Sequence, residues 1–519
     1  MNPSLPILFL ALMLTSIPTL LSAQSNSLDS SFQKQFNTFN TDIQKEFNTF
    51  RQNNDSLFLQ FLAQSWKEIN GMQNKIPTLP EPKNPPTYKA PETPVAPKSP
   101  KADSVSPQPE PQPKVLPSPP PQITPDTLQQ PVPIAPELPD AVEPLPIKTD
   151  TIPNHAVMEL SVPSIKIEYY GTNFNLPTYS QGLPLLSSLS KQGIIAYFAD
   201  ASASSILNST VKALKKEADE CRLNNWGLAN LFLKASEKIF PDINNRVLFT
   251  WFAMLRSGFN VKVGYNNSSI YLLLPSNENL YETSYTIKGK QYYFLNFGLG
   301  QAKPEHLNIH EADYPQGITS LSFMITQTPE LTNLFTARTL SANPSLVLKL
   351  NKNLIDFYNN YPQCELKVFF TAPLSANAIR QLDAYFLPAL DNKKEDEKVT
   401  FLLKFIHQSI RYKTDGDQFG HEKYFFADET LYFPFADCED RSVLLAKLIN
   451  RYTSCKVIGL SYPTHVSLAV NMPSLQNGKY LTYNNLHYYH CDPTYIGASF
   501  GMPMPDFENT TPVIIDYMP

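Results

Sequence analysis

Phe433-Pro-Phe-Ala-Asp-Cys-Glu-Asp-Arg-Ser-Val-Leu-Leu-Ala-Lys-Leu-Ile-Asn450 decides how this chain is read. It describes a loop that delivers one cysteine to the first turn of an amphipathic helix. Asp437 is a suitable N-cap, and Asp440 stands where a capping box would be closed from the other side. Cys438 then meets the unpaired N–H groups and positive dipole end of the helix, which favour a thiolate. Cys438, Ser442, Leu445 and Ile449 follow i, i+4, i+7, i+11 spacing and share one stripe of the helix. A thiol in that place can be a nucleophile. A free cysteine is more commonly a small buried hydrophobe, so the helix alone does not decide its role.

The residues after the helix bear on that choice. Lys456 to Tyr462 and His465 to Val470 are strand signals, and Lys479 to Tyr483 and Leu486 to Cys491 read as a hairpin about Asn484-Asn485. Asp492-Pro493 ends the last strand, because proline cannot continue a ladder. His465 opens the second strand just after Pro463-Thr464, and its face-mates Ser467 and Ala469 are small. Twenty-seven residues separate Cys438 from His465, and 27 separate His465 from Asp492. One helix plus one strand fills the first gap and a hairpin the second, so the three groups can meet at one end of an antiparallel sheet. In such a set the imidazole activates the thiol and later protonates the leaving amine, while the carboxylate fixes the imidazole tautomer. By itself, His465 would be a packed strand histidine and Asp492 a turn residue before proline.

Asp437-Cys-Glu-Asp-Arg-Ser442, Tyr462-Pro-Thr-His465 and Cys491-Asp-Pro-Thr-Tyr-Ile-Gly497, in that order, resemble the transglutaminase-like superfamily, specifically its bacterial transglutaminase-like cysteine peptidase branch. The resemblance covers about residues 401–503. It implies a papain-like core, with Cys438 as nucleophile, His465 as general base and acid, and Asp492 as orienting carboxylate. Members include cross-linking enzymes, peptidases, deglycosylating amidases and inactive binding modules. Papain-like enzymes add a side-chain oxyanion donor upstream of the cysteine, and Gln418 is the candidate here. His421, His487 and His490 are rival histidines; His490 shares a strand face with Asp492.

An earlier stretch repeats the pattern. Arg246 to Leu274 and Arg441 to Leu468 both run helix, turn, strand, loop, strand. In register, the cysteine position falls at Ile243 or Asn244 and the histidine position near Tyr271. This suggests a degenerate copy without catalysis ahead of the active one, against the alternative of an unrelated α+β unit.

The rest of the chain divides by composition. Residues 1–23 read as a signal peptide, with an apolar run at Ile7 to Leu14 and a small-residue cleavage site at Leu20-Leu-Ser-Ala23. Residues 24–75 are expected to form an amphipathic helix in which Phe36-Asn-Thr-Phe39 returns eleven residues later as Phe47-Asn-Thr-Phe50. Its stripe, within residues 32–66, would pair with itself in a coiled coil, with a partner, or with its own globular part. Residues 76–153 gather many of the 48 prolines. They should form a semi-stiff spacer with a full reach on the order of 200 Å. Residues 154–310 are expected to be the α+β domain carrying the degenerate copy, 311–385 a β-rich layer, and 386–519 the transglutaminase-like catalytic domain.

With 42 Lys and Arg against 47 Asp and Glu, the net charge of −5 gives no electrostatic case for nucleic acid or an anionic membrane. No stretch is long and apolar enough for a membrane span. The five cysteines match no zinc pattern, and no cofactor or metal is implied. The expectation is an exported α+β protein of the periplasm, cell envelope or extracellular space. It would process amides of a protein or peptide substrate through Cys438, His465 and Asp492, as a peptidase, transamidase or deamidase. The alternative is a non-catalytic binding or scaffold protein that kept the fold.

Overall fold

Apolar residues spaced three and four apart, a capping aspartate and a closing glycine define helix α1, Ile243–Arg256. Asp242 accepts from the N–H of Asn245 at 2.9 Å, and Gly258 takes the left-handed φ of 94° that ends the helix. Five strands follow: β1 (Lys262–Tyr265), β2 (Ile270–Pro275), β3 (Thr283–Ile287), β4 (Lys290–Phe294) and β5 (His306–Ile309). They lie in the order β5-β1-β2-β4-β3, antiparallel throughout, and Lys67–Asn70 and Met72–Gln73 extend the sheet at its two edges.

A second unit begins with helix α2, Cys438–Tyr452. Strands β6 (Val457–Tyr462), β7 (His465–Asn471), β8 (Tyr480–Tyr483), β9 (Leu486–Cys491) and β10 (Val513–Ile515) follow it. Their order is β10-β6-β7-β9-β8, again antiparallel and identical to the first sheet strand for strand. The two-residue turn at Asn484 and Asn485, both at positive φ, joins β8 to β9 as asparagine turns do. The Pro463-Thr464 turn sets Tyr462 opposite His465, so the histidine occupies the first position of β7.

This is a computed structural model that describes residues 41, 45, 48–49, 51–64, 66–77, 84–88, 164–177, 182–341, 345–474 and 477–517. The signal peptide at 1–23 and most of the proline-rich tract lie outside the described residues. Helix and antiparallel sheet are mixed, as an α+β chain requires, and the described residues form one compact unit. No helix among them is long and apolar enough to cross a membrane.

Several elements depart from the sequence reading. The helix expected through residue 75 ends at 62, and the chain then supplies the two edge strands of the first sheet. Residues 51–62 lie on the protein's own core. Phe58 meets Phe198 and Tyr314 edge to face, and Asp55 holds Arg256 through two hydrogen bonds of 2.6 and 2.7 Å. Both charged side chains are buried, so this is a closed, bidentate contact rather than a solvated one. The segment 311–385 contains one hairpin, Phe335–Leu340 with Leu346–Asn351. Lys352–Asn359, Leu366–Thr371 and Ala376–Leu390 are helices. The β-branched and aromatic run at 366–371 turns helical because Val368, Phe369 and Phe370 all bury from one short helix, which outweighs local propensity.

Candidate active site

α2 is enclosed rather than amphipathic. Cys438, Ser442, Leu445 and Ile449 are buried, as their shared stripe predicts, but so are Glu439, Asp440 and Arg441 between them. The helix docks on β7 at two points of one residue. The Val466 N–H donates to Cys438 Sγ at 3.3 Å, and the Val466 carbonyl accepts from Ser442 Oγ at 3.1 Å. The thiol therefore lies against the backbone of the residue next to His465. Its second contact is Glu439 Oε2, at 3.2 Å.

His465 Nε2 lies 2.8 Å from Asp492 Oδ2, and both side chains are buried. Asp492 Oδ1 accepts from the N–H groups of Thr494 (2.9 Å) and Tyr495 (3.2 Å). Burial alone would raise the Asp492 carboxyl, but His465 and the two N–H groups reverse this and hold it below its ordinary range. The carboxylate can only accept, so the His465 proton at this contact sits on Nε2. The structure thus brings Cys438, His465 and Asp492 to one end of the second sheet.

Asp437 and Asp440 do not form the expected capping box. Asp437 Oδ2 accepts from the N–H of Asp415 at 3.1 Å and Asp440 Oδ1 from the N–H of Phe425 at 2.8 Å, so both carboxylates serve the 415–425 loop instead of their own helix. That loop needs acceptors for its buried N–H groups, and the helix start is the nearest source. The result is a crowd of carboxylates beside the thiol. Burial and the charge of Glu439 push Asp415 up to about 8. Burial, with Asp415 and Glu439, raises Asp440 well above its ordinary value, and burial with Glu439 raises Glu422 to about 7. Asp415, Asp437 and Asp440 bring one oxygen each within 4.8 Å of one another, as do Asp415, Glu422 and Glu439. Either group has the hard oxygen donors that suit a divalent cation.

Gln418 belongs to the short helix Asp415–Phe419, whose first N–H bonds Asp437. Its Oε1 is buried without a hydrogen-bond partner. His421 is exposed and bonds only locally, to Phe419 O. His487 is exposed and stacks on Tyr480. His490 pairs across the ladder with Ala469, and burial lowers its pKa against the pull of Asp492.

Two positioning groups have no counterpart in the sequence reading. Arg441 is one of the largest fully buried side chains. It donates to the carbonyls of Pro493 (3.2 Å) and Ile410, and so ties the cysteine helix to the Asp492 turn. Burial lowers the guanidinium to about 10 despite the opposing pull of Tyr412, Asp437, Asp492 and Cys438. His407 reaches the backbone carbonyl of Asp492 at 3.3 Å from the end of helix Glu395–Ser409. The sequence signal for Arg441 was its place three residues after Cys438, on the side of the helix nearest the site.

All five cysteines are free thiols. Comparison with family models, curated proteins and solved structures finds no match.

Proposed function

We propose that the chain is an exported cysteine-dependent hydrolase of amide bonds, acting on a protein or peptide substrate through Cys438, His465 and Asp492. The observation that carries this reading is the 2.8 Å His465–Asp492 pair beside a strand residue whose N–H contacts the Cys438 sulfur. With Nε2–H bonded to the carboxylate, His465 Nδ1 has the lone pair to take the thiol proton. The thiolate then attacks the amide carbonyl, forming a C–S bond and an oxyanion. The Cys438 N–H and Gln418 are the candidate oxyanion donors. Imidazolium returns its proton to the leaving amine as the C–N bond breaks. Water then hydrolyses the thioester; an amine in its place would give transamidation.

The fold that suits this chemistry is a papain-like core, and the first helix–sheet unit is its silent copy. The identical strand order of the two sheets supports that relation. Asp242 and Asp437 stand as corresponding N-caps, and Ile270 and His465 each open the second strand, so the triad residues are matched by Ile243, Ile270 and Leu295. The leader-like residues 1–23 support export. A specific observation favours the second reading, a non-catalytic binding module: Phe507 stacks on His465 with ring centres 5.2 Å apart, and Cys438 is 1% exposed. Peptide-library digestion followed by mass spectrometry separates the two. The enzyme reading expects products that disappear in Cys438→Ala, by a factor of about 10³ or more. Equal product from wild type and variant refutes it.

A further inference from the structure

The cover over His465 continues into a small apolar cluster that the chain's own residues 86–88 join. Asp492 pins the turn after β9 by accepting from Thr494 and Tyr495. The next residue, Ile496, is half-buried and exchanges two backbone hydrogen bonds with the chain's own proline-rich tract. Ile496 N–H donates to Pro86 O, and Tyr88 N–H donates to Ile496 O, each at 2.9 Å. Thr87 is thereby bridged in parallel to Ile496. The Tyr88 ring meets Tyr495 edge to face, 6.1 Å between centres, and enters a small apolar cluster with Ala498, Met502, Met504 and Phe507. Phe507 is the ring stacked on His465. The segment thus lies along the outer edge of the turn whose inner edge holds the Asp492 carboxylate.

We propose that this edge is a peptide-binding subsite of the cysteine site, that it takes an extended Pro-x-aromatic strand, and that Pro86–Tyr88 fills it in cis. The proposal rests on the catalytic reading above. Its chemistry is that of strand addition: backbone hydrogen bonds supply pairing, and a pocket for one side chain supplies selectivity. Proline fixes its own φ, so a proline-containing strand loses less entropy on docking. A tethered occupant acts at an effective concentration in the millimolar range for a short flexible link, and less for a longer one. An untethered substrate strand of the same kind must therefore displace it.

The test uses the full chain and a fluorescent Asn-Pro-Pro-Thr-Tyr peptide. Tyr88→Ala should vacate the subsite and bind the peptide at least about tenfold tighter than wild type. Bound peptide should slow iodoacetamide alkylation of Cys438 in that variant. A second measurement guards against an unfolded variant: hydrogen exchange at the Ile496 amide should be slow in wild type, fast in Tyr88→Ala, and slow again with peptide. Equal affinity in both proteins, or fast exchange at Ile496 in wild type, overturns the proposal. Peptide binding without any effect on Cys438 alkylation also overturns it, because the edge would then be separate from the site. Binding and alkylation protection in a chain that cleaves no amide would leave the subsite standing and refute only the hydrolase reading.

Discussion

The two helix–sheet units share a strand order and differ at the start of the helix. In the first, Asp242 caps α1 by accepting from Asn245, and Asn244 Oδ1 accepts from the N–H of Ile270 at 2.8 Å. The capping aspartate there serves its own helix. In the second, Asp437 and Asp440 turn to the 415–425 loop, and Cys438 Sγ takes the contact to β7. Arginine stands four residues after the cap in both, and in both it donates to backbone carbonyls: Arg246 to Phe240 and Pro241, Arg441 to Ile410 and Pro493. Only the second is buried to 1%. The same topology therefore supports an ordinary capped helix or a helix that trades its cap for an enclosed cysteine among buried carboxylates. Departures from local rules concentrated at one helix start are what a functional site leaves in a fold.

The largest way to break the comparison lies at the end of the hairpin that leads into Asp492. β9 runs into Asp492, whereas β4 runs into Leu295. Asp492→Asn keeps the shape but invites the wrong His465 tautomer. It should lower amide turnover by about 10² to 10⁴, measured as kcat/KM on any peptide the wild type cleaves. Leu295→Ala should leave kcat/KM unchanged per folded molecule.

The arginines sharpen it. Arg441→Leu removes the guanidinium shared by Ile410 and Pro493, and should cost about 3 kcal/mol in chemical denaturation, because it strands buried carbonyls and nearby carboxylates. Arg246→Leu, at a half-buried position, should cost less than about 1 kcal/mol.

A smaller effect separates the units by pH. Asp415 has an ordinary value of 3.8 and is raised to about 8 in the folded protein. A raised carboxyl ionises in the unfolded chain first, so it lowers stability as pH climbs from about 4 to about 8 and adds no further loss above that. Asp415→Asn keeps an acceptor for the Lys423 N–H, which Asp415 Oδ2 now holds at 2.5 Å. The variant should be more stable than wild type by at least about 1 kcal/mol at pH 8, and equal to it near pH 4. Thermal melts at the two pH values check the sign.

How far the sequence reached follows from the same comparison. Period and turn chemistry made both helices and the β6 to β9 strands legible, including the Asn484-Asn485 turn and the place of His465 at a strand start. The matching register of α1 and α2 was visible too, although Ile270, rather than Tyr271, is the residue that opens β2. What escaped were choices made by tertiary contact. Asp437 and Asp440 looked like a cap because a chain does not display the loop that recruits them. The burial of Arg441 was not legible because its carbonyl partners are 31 and 52 residues away. Ile318 to Ile325 alternates like a strand, but it finds only isolated bridges, such as Ser276 to Leu321, and is not part of any sheet. Docking of residues 51–62 through Asp55 and Phe58 needed Arg256 and Phe198, far along the chain.

The central claim is that His465, oriented by Asp492, activates the Cys438 thiol. It is tested most directly by the rate of Cys438 alkylation by iodoacetamide against pH, followed by peptide mass spectrometry in wild type and in His465→Ala. The account predicts a reactive thiolate that persists below the pH range of a free cysteine in wild type, and a titration shifted upward in His465→Ala. Slow alkylation with the same pH profile in both proteins would contradict it.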